Sequence, residues 1–429
     1  MRTLYKNVKT IVNILKPDST KLKFEQGDCI EITKCGSGSL LAIVVTDNLI
    51  TDFGEEVLMI RTRGPFDKIV DCCSGCIIPG FVDAHTHPVW AGDRVHEFVL
   101  KLSGASYMEI HEAGGGIHFT VEKTRDASEA SLYYSLYHRL KRMLRKGTTT
   151  AECKTGYGLD WETEEKLIRI LNRAKKELPI GISITFLSAH SVPREMDVEE
   201  FTTHIIDVQL PKLNQLREVL SVDNIDVFCE SGVFNLEQSE SILSVGRDIG
   251  LNINFHADEL SCLGGAELAG KLKAHAASHL EEASPAGVAA MAASGTAAVL
   301  LPTTALLLRL RPPPARAMIE AGVPVALGTD FNPNAYCLSM PTVMFLGCTI
   351  MGLTPDEALA AATINAAYSL GMSSKIGAIT PGRQADFIVL NCDRWENIIY
   401  QLGEEDSLIT MVVKHGRVVY NEKGGFVEI

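Results

Sequence analysis

Short apolar runs alternate with amphipathic segments through residues 82–330 of the 429-residue chain. The apolar runs are rich in Val, Ile and Ala with little polar alternation, which is typical of strands buried on both faces. Eight such runs end near His87, Lys154, His190, Glu230, His256, His279, Pro302 and Asp330. Amphipathic helical segments lie between most of them, at residues 130–146, 162–177, 197–220 and 236–249. The alternation predicts an α/β fold, a closed TIM-like (β/α)8 barrel rather than an open doubly wound sheet.

The two ends of the chain have a different pattern. Short β-like pieces occupy residues 10–14, 29–33, 40–46, 386–391, 408–414 and 417–420. His415 and Gly416 form a predicted hairpin turn between the last two pieces. Neither end has enough strands to build a core alone. We therefore expect residues 1–78 and 382–429 to form one composite β-sandwich beside a barrel of residues 79–381.

Two histidines follow the first predicted barrel strand. His85 and His87 are spaced i and i+2, which on a strand directs both imidazoles to the same face. In a barrel of this kind the reacting groups gather at the C-terminal ends of the strands. Two neutral imidazoles there make half of a site suited to zinc or iron. The alternative is a pair of ordinary buried or surface histidines.

Later strand ends supply the other half of such a site. Residues 251–256 form a short predicted strand that ends at His256, with Glu259 three residues further on. Residues 323–330 form a buried run that ends at the carboxylate of Asp330. Three nitrogens and one oxygen leave room for a bound water, the open position that distinguishes catalytic from structural metal sites. The sequence therefore favours a catalytic metal centre.

Composition narrows the possible partners. Hydrophobic residues make up 46% of the chain and charged residues 22%, as in an ordinary globular protein. The formal net charge of −13 argues against nucleic acid and anionic membranes, which need a basic footprint. The 11 cysteines are scattered, and the C-x-x-C spacing of Cys73 and Cys76 has no second pair. Together with the missing apolar signal segment, this predicts a cytoplasmic protein with reduced thiols.

Several motifs resemble those of one enzyme family. PGFVDAHTH at 79–87, GTD at 328–330 and GRQADF at 382–387 are similar to motifs of the metal-dependent amidohydrolase superfamily. KTGYGL at 154–159, HADE at 256–259 and TDFNP at 329–333 resemble the imidazolonepropionase family more specifically. The resemblance runs over nearly the whole chain. It implies hydrolysis of 4-imidazolone-5-propanoate to N-formimidoyl-L-glutamate in histidine degradation, by a metal-activated water in a homodimeric enzyme.

The resemblance also implies roles for individual residues. Its mononuclear zinc or iron ligands fall on His85, His87, His256 and Asp330. A single metal is favoured because the fourth strand ends in Glu230 and offers no lysine for a bridge between two metals. The family's substrate-binding positions fall on Arg94, Tyr157, His190, Glu259 and Asn332. A guanidinium such as that of Arg94 suits a propanoate tail, since it donates two parallel hydrogen bonds to a carboxylate.

Proton transfer has three candidates. The leaving ring nitrogen needs a general acid. Glu259, Asp330 and His279 all fit that role, and Glu259 ranks first because it follows His256 by three residues. Two other functions stay open from the sequence. A related deaminase acting on a nucleobase would share the metal residues but would not need the Arg94 and Tyr157 clamp. A non-catalytic scaffold is disfavoured because all four ligand positions are filled.

Overall fold

The computed structural model describes residues 1–14, 19–24, 30–36, 39–104 and 115–427. Strands in these residues are numbered in chain order: β1 Arg2–Ile14, β2 Ile30–Lys34, β3 Leu41–Thr46, β4 Leu49–Glu55, β5 Lys68–Pro79, β6 Phe81–Asp83, β7 Thr148–Lys154, β8 Gly181–Ala189, β9 Asn224–Cys229, β10 Asn252–Ala257, β11 Ala276–His279, β12 Ala297–Leu300, β13 Val325–Leu327, β14 Phe387–Leu390, β15 Ile409–Lys414, β16 Arg417–Asn421 and β17 Gly425–Phe426. They form two sheets, one from the middle of the chain and one from its two ends.

The central sheet is the predicted barrel. Within the described residues, strands β6 to β13 lie in sequence order and each pairs in parallel with the next. The two end strands meet where Thr86 pairs with Phe331, which closes the sheet. Each strand ends within four residues of its predicted end, and β7 and β11 end at Lys154 and His279 as expected. The barrel is thus confirmed.

Helices surround the barrel strands. The four predicted segments appear as Glu129–Arg145, Trp161–Glu177, a broken helix and Leu236–Asp248. The broken helix runs through Val198–His204, a π-helical turn Ile205–Gln209 and Leu210–Leu216. The wide turn precedes Pro211, which has no N–H to donate to the helical ladder. In the part of the chain that is described, no helix is long and apolar enough to cross a membrane.

The remaining helices are shorter, and most follow a barrel strand or lie in the C-terminal third. Their bounds are Glu56–Arg63, Val95–Leu102, Ile117–Asp126, Gly265–Leu272, Pro285–Ser294, Pro302–Leu308, Ala315–Glu320, Met340–Ile350, Pro355–Ala361, Ile364–Ser369, Asn397–Tyr400 and Glu405–Leu408.

The second sheet is built from both termini, as predicted. Its described strands run in the order β17-β16-β15-β14-β5-β1-β3-β4, and β2 pairs with β1. The predicted terminal pieces correspond to β2, β3, β14, β15, β16 and the second half of β1, although residue 29 lies outside the described residues. The sequence analysis missed β4, β5, β17 and the first half of β1. Exposed residues interrupt the apolar pattern of β4 and of the first half of β5.

The terminal sheet curls around a core of its own. The ring of Tyr5 on β1 contacts that of Phe387 on β14 edge-to-face, with centroids 4.9 Å apart. The Tyr5 hydroxyl donates to the carbonyl of Gly416 beyond β15, at 3.0 Å. Ile43 and Val413, from strands far apart in the sheet order, belong to the same apolar cluster. The sheet therefore packs on itself in the manner of the predicted sandwich.

A buried ion pair joins the terminal sheet to the barrel. Lys414 on β15 lies 2.7 Å from the carboxylate of Asp386 and donates to the hydroxyl of Thr150 on β7 at 3.2 Å. The other Asp386 oxygen accepts the backbone N–H of His415 at 2.9 Å. Both charged side chains are almost fully buried. The pair lies near the beginning of β7, at the end of the barrel that in this fold serves stability rather than catalysis.

We expect Lys414→Met to destabilise the protein, because it leaves the Asp386 carboxylate buried without its cation. Breaking such a pair typically costs about 3–5 kcal/mol. Thermal unfolding followed by circular dichroism would show a lower midpoint than in the exposed control Lys423→Met. The double variant Lys414→Met, Asp386→Asn should recover part of the loss. An unchanged midpoint in the single variant would contradict the structural role assigned to this pair.

Candidate metal centre

Three imidazoles and one carboxylate meet at the C-terminal end of the barrel. The Nε2 atoms of His85 and His87 are 3.1 Å apart, and each lies 3.5 Å from Oδ1 of Asp330. The ring of His256 lies 4.6 Å from that of His85 and 5.3 Å from that of His87, centroid to centroid. All four side chains are buried. The four residues predicted as metal ligands are therefore together in space.

The local backbone explains this convergence. The N–H of Asp330 donates to the carbonyl of His85 at 3.0 Å, and the N–H of His87 donates to that of Phe331 at 2.9 Å. Asp83 at the end of β6 accepts the backbone N–H and the hydroxyl of Thr329, at 2.9 and 2.6 Å. These hydrogen bonds fix the position of the loop after β6 relative to the loop after β13. Both imidazoles and the carboxylate consequently face the same point.

The residues present fit one metal ion. Oδ1 of Asp330 is buried and accepts no hydrogen bond from any described residue, although it faces two imidazole nitrogens. Burial, together with neighbouring positive groups, lowers the pKa of His85 and His87 well below the usual 6.5. Neutral imidazole is the form that binds metal. A cation between these groups would satisfy the unpartnered carboxylate oxygen and both nitrogens.

His256 lies against a buried carboxylate that is itself paired with a lysine. Its Nδ1 lies 3.0 Å from Oδ1 of Asp226, which also accepts the backbone N–H of His256 at 3.0 Å. The other oxygen of Asp226 lies 2.7 Å from Nζ of Lys154, which pairs with Glu152 at 2.9 Å. Burial alone would raise the pKa of Asp226, but His256 and Lys154 outweigh it and lower that pKa to about 2. The ionised Asp226 therefore fixes the histidine ring with its Nε2 free for a ligand bond.

Sequence analysis did not identify Asp226 or Glu152 as part of the site. Both lie inside strands whose neighbours are buried, Asp226 on β9 and Glu152 on β7. A charged residue within a fully buried strand was the available signal, since such a group needs a partner.

Tyr157 and His190 lie beside the metal residues. The His190 ring stacks on that of His87, with centroids 4.9 Å apart and planes 17° apart. The Tyr157 ring lies 6.0 Å from that of His87 and 5.3 Å from that of His190. Nδ1 of His190 lies 2.9 Å from the carbonyl of Gly156, which leaves its other nitrogen available. The structure brings these two predicted substrate residues to one side of the centre.

A buried glutamate anchors the loop that carries Tyr157. The buried carboxylate of Glu164 accepts the N–H groups of Gly156, Gly158 and Leu159, the shortest at 2.7 Å. Gly156 has a φ of +104°, and a Cβ there would come within 2.9 Å of Nδ1 of His190. Glycine is thus required for the loop to approach this histidine closely.

The guanidinium of Arg94 forms an ion pair with the carboxylate of Glu97. Its Nε and Nη2 donate to the two carboxylate oxygens of Glu97, at 2.8 and 2.7 Å. It lines a cavity of about 770 Å³ formed by the loops after β6, β12 and β13, a space that the metal histidines do not line. Burial raises the pKa of Tyr157, and the positive charge of Arg94 acts against that shift. Arg94 is therefore close enough to influence Tyr157, but two of its guanidinium nitrogens are occupied by Glu97.

The side chain of Asn332 is hydrogen-bonded to the backbone of its own loop. Its amide oxygen accepts the backbone N–H groups of Asn334 and Ala335, at 2.7 and 2.9 Å. Its Nδ2 donates to the carbonyl of Asp330 at 2.7 Å. These three contacts occupy the amide oxygen and one amide hydrogen, so a single N–H is left for any further partner.

The three candidates for proton transfer lie around the centre. Oε1 of Glu259 lies 3.7 Å from Nδ1 of His279, and the carboxyl group of Asp330 is close enough to raise the pKa of Glu259. Burial raises the pKa of Glu259 well above its usual value, and the carboxyl groups of Glu281 and Asp330 raise it further. These surroundings favour the protonated form of Glu259, which is the form that a general acid needs.

The barrel and this ligand set define a metal-dependent amidohydrolase. The chain matches the amidohydrolase family over residues 76–419 and belongs to that family. A protein of Xenopus tropicalis described as a probable imidazolonepropionase is 51% identical over 98% of this chain and 98% of its own length. A human protein of the same description is 57% identical over 83% of this chain and 84% of its own. Within the amidohydrolases, the chain belongs to the imidazolonepropionase family.

Solved structures agree on the architecture. E. coli guanine deaminase has a TM-score of 0.74 with 17% identity, and covers 98% of this chain and 99% of its own. A triazine hydrolase variant has a TM-score of 0.75 with 14% identity, over 100% and 96% of the two chains. At this level of identity the likeness concerns the fold alone.

Asp226→Asn should weaken metal binding, because the neutral amide cannot both stabilise the His256 ring and pair with Lys154. Loss of such a supporting carboxylate typically costs about 10–100-fold in metal affinity. Competition with a chromophoric chelator measures this directly. The exposed Asp248→Asn is the matched control and should bind metal as the parent protein does. Equal affinity in both variants would mean that Asp226 does not hold the ligand.

Proposed function

We propose that this chain hydrolyses 4-imidazolone-5-propanoate to N-formimidoyl-L-glutamate, a step of histidine degradation. The observation that carries the proposal is 51% identity to a probable imidazolonepropionase over 98% of both chains, and the four predicted ligands lie buried beside one another at the end of the barrel. Reaction of the substrate opens a cyclic amide bond with water. This requires a water nucleophile, a site for the carboxylate tail and a proton for the leaving nitrogen.

One zinc or iron ion is proposed as the cofactor, held by His85, His87, His256 and Asp330. Its chemistry when bound is to lower the pKa of a water towards neutrality and to polarise a carbonyl. Three neutral nitrogens and one carboxylate suit both metals. The Nε2 to Oδ1 distances of 3.5 Å and the buried, unpartnered oxygen of Asp330 support this assignment.

The propanoate tail and the ring are assigned to separate groups. Arg94 provides a cation and Tyr157, which is close enough for the Arg94 charge to affect its pKa, provides a hydroxyl. Glu97 fixes the guanidinium plane by its two contacts. A guanidinium fixed in this way loses little freedom when a carboxylate binds. His190, stacked on His87, and Asn332, next to the ligand Asp330, are assigned to the ring.

Glu259 is assigned to proton transfer. Its carboxyl group is buried among other carboxyl groups, which favours the protonated form before the ring opens. It can donate that proton to the leaving nitrogen and later regain one from water. His279, beside it, and Asp330 keep the supporting roles that the sequence left open.

The test of the function is an absorbance assay with freshly made 4-imidazolone-5-propanoate, joined to metal analysis. We expect substrate loss, formation of N-formimidoyl-L-glutamate and one metal per chain, and loss of both activity and metal in His256→Ala. Guanine with an ammonia assay is the control for a deaminase. Ammonia release without imidazolone hydrolysis would overturn the proposal, and two metals per chain would overturn the mononuclear centre.

Glu259→Gln should lower kcat by about 10²–10⁴-fold, the usual contribution of general acid–base catalysis. Glutamine keeps the size of the side chain but cannot release a proton near pH 7. Metal content should stay at one per chain, and the exposed Glu282→Gln should behave as the parent enzyme. Near-full turnover of Glu259→Gln would move the role to His279 or Asp330, and loss of metal would make Glu259 a support of the ligands.

Arg94→Ala should raise KM more than it lowers kcat, since it removes a charge-assisted contact worth ~1.5–3 kcal/mol. Lysine should restore only part of this, because it lacks the bidentate fork. A control is needed because the same variant leaves the buried Glu97 carboxylate without the Arg94 cation, although the N–H of Gly116 still donates to it. Glu97→Gln keeps the arginine and should change KM much less. Equal effects of the two variants would show that the Arg94 effect comes from the broken pair.

The homodimer and the cytoplasmic location are also part of the proposal and rest on the sequence analysis. Light scattering and cell fractionation test them.

A further inference from the structure

The hydroxyl of Thr304 contacts the carboxylate of a proposed metal ligand. Thr304 is 3% exposed, and its Oγ1 donates to Oδ2 of Asp330 at 2.5 Å. The threonine lies in the first turn of the helix Pro302–Leu308, which follows β12, whereas Asp330 follows β13. The hydrogen bond therefore joins the segments that follow two neighbouring barrel strands, and it does so at the side chain of the ligand.

The adjacent Thr303 contacts the backbone of the same segment. Its hydroxyl donates to the carbonyl of Thr329 at 2.6 Å. Asp330 has a φ of +47°, a left-handed conformation that is uncommon in residues other than glycine and that aspartate tolerates better than most. Thr303 thus acts on the backbone beside this unusual conformation, while Thr304 acts on the carboxylate itself.

The two carboxylate oxygens of Asp330 have different surroundings. Oδ2 accepts the Thr304 hydroxyl. Oδ1 accepts no hydrogen bond from any described residue and lies 3.5 Å from Nε2 of both His85 and His87. The last torsion of an aspartate side chain is broad, so the covalent structure alone does not decide which oxygen faces a neighbour. A contact that fixes this torsion also decides which oxygen faces the imidazoles.

Two of the proposed imidazole ligands have a comparable contact. Nδ1 of His85 lies 2.9 Å from the hydroxyl oxygen of Ser278, and Nδ1 of His256 lies 3.0 Å from Oδ1 of Asp226. Outer contacts of this kind orient the ligands of a metal and strengthen its binding. Thr304 is the corresponding contact of the carboxylate ligand.

We propose that Thr304 is a positioning residue that acts through Asp330. By donating to Oδ2, its hydroxyl fixes the carboxylate with Oδ1 towards His85 and His87, so that the aspartate offers one oxygen to the metal. The place that a second carboxylate oxygen would take stays free, and catalytic metal sites need such an open position for water. The inference rests on the proposed metal centre and is independent of which substrate the enzyme hydrolyses.

The first experiment measures the zinc affinity of Thr304→Val and Thr304→Ser by competition with a chromophoric chelator. Valine keeps the shape of threonine without the hydroxyl, whereas serine keeps the hydroxyl without the methyl group. We expect Thr304→Val to bind zinc about 10–100-fold more weakly than the parent, the usual effect of losing an outer contact of a ligand. Thr304→Ser should bind nearly as the parent does. An equal loss in both variants, or a larger loss in the serine variant, would make the effect one of packing and overturn the proposal.

Thr202→Val is the matched control. Thr202 is also buried, and its hydroxyl donates to the carbonyl of Val198 in its own helix at 2.7 Å. This variant should keep the zinc affinity of the parent even if its unfolding midpoint falls. Equal affinities of Thr304→Val and the parent would refute the role of Thr304 and leave the metal centre in place. A parent protein that binds no zinc would overturn the centre, and the inference with it.

Cobalt(II) in place of zinc supplies a readout that needs no substrate. Its visible absorption depends on the number and arrangement of its ligands, and saturating metal removes any effect of weaker binding. The spectrum should change in Thr304→Val and match that of the parent in Thr304→Ser and Thr202→Val. Identical spectra of Thr304→Val and the parent would mean that Asp330 keeps its orientation without the hydroxyl, and would overturn the positioning role.

Discussion

Closure of the barrel is the constraint on which the centre depends. The first and last barrel strands are short, and their direct contact is extended by the loops that follow them. Asp83 binds Thr329 through two hydrogen bonds, and the backbone of His85 and His87 pairs with that of Asp330 and Phe331. Three of the four proposed ligands therefore belong to one hydrogen-bonded joint. The geometry of the metal centre and the integrity of the barrel cannot be separated at this joint.

Buried titratable side chains surround the hydrogen-bonded joint between these two loops. Burial and neighbouring positive groups lower the pKa of His85 and His87, and burial and other carboxyl groups raise the pKa of Glu259, so each shift favours the neutral form. Beneath them, Lys154 keeps Asp226 ionised, and Asp226 orients His256. The groups at the centre are thus shifted towards their neutral forms, while the charged Asp226 and Lys154 pair with each other behind them.

The barrel and its candidate ligands could be predicted from the sequence because several apolar runs end at residues with reactive side chains. His85, His256 and Asp330 marked three strand ends, and the fold brings such ends together. Asp226 could not be predicted in the same way, since its role depends on His256 and Lys154, which lie 30 and 72 residues away in the sequence. The same limit explains β5, whose polar first half pairs with β1 only after folding. The occupation of Arg94 by Glu97 likewise appears only in three dimensions.

The strands of the terminal sheet come from both ends of the chain, so this sheet can be completed only after the barrel has been synthesised. Strand β5 pairs with β14, and roughly 300 residues of barrel are made between them. At usual rates of synthesis this interval is about 15–60 s. During it, β1, β3 and β5 have one uncompleted edge, and such edges attract other strands. The amino-terminal strands therefore remain without this partner until the whole barrel has been synthesised, and a chain truncated within the barrel exposes an unpaired sheet edge.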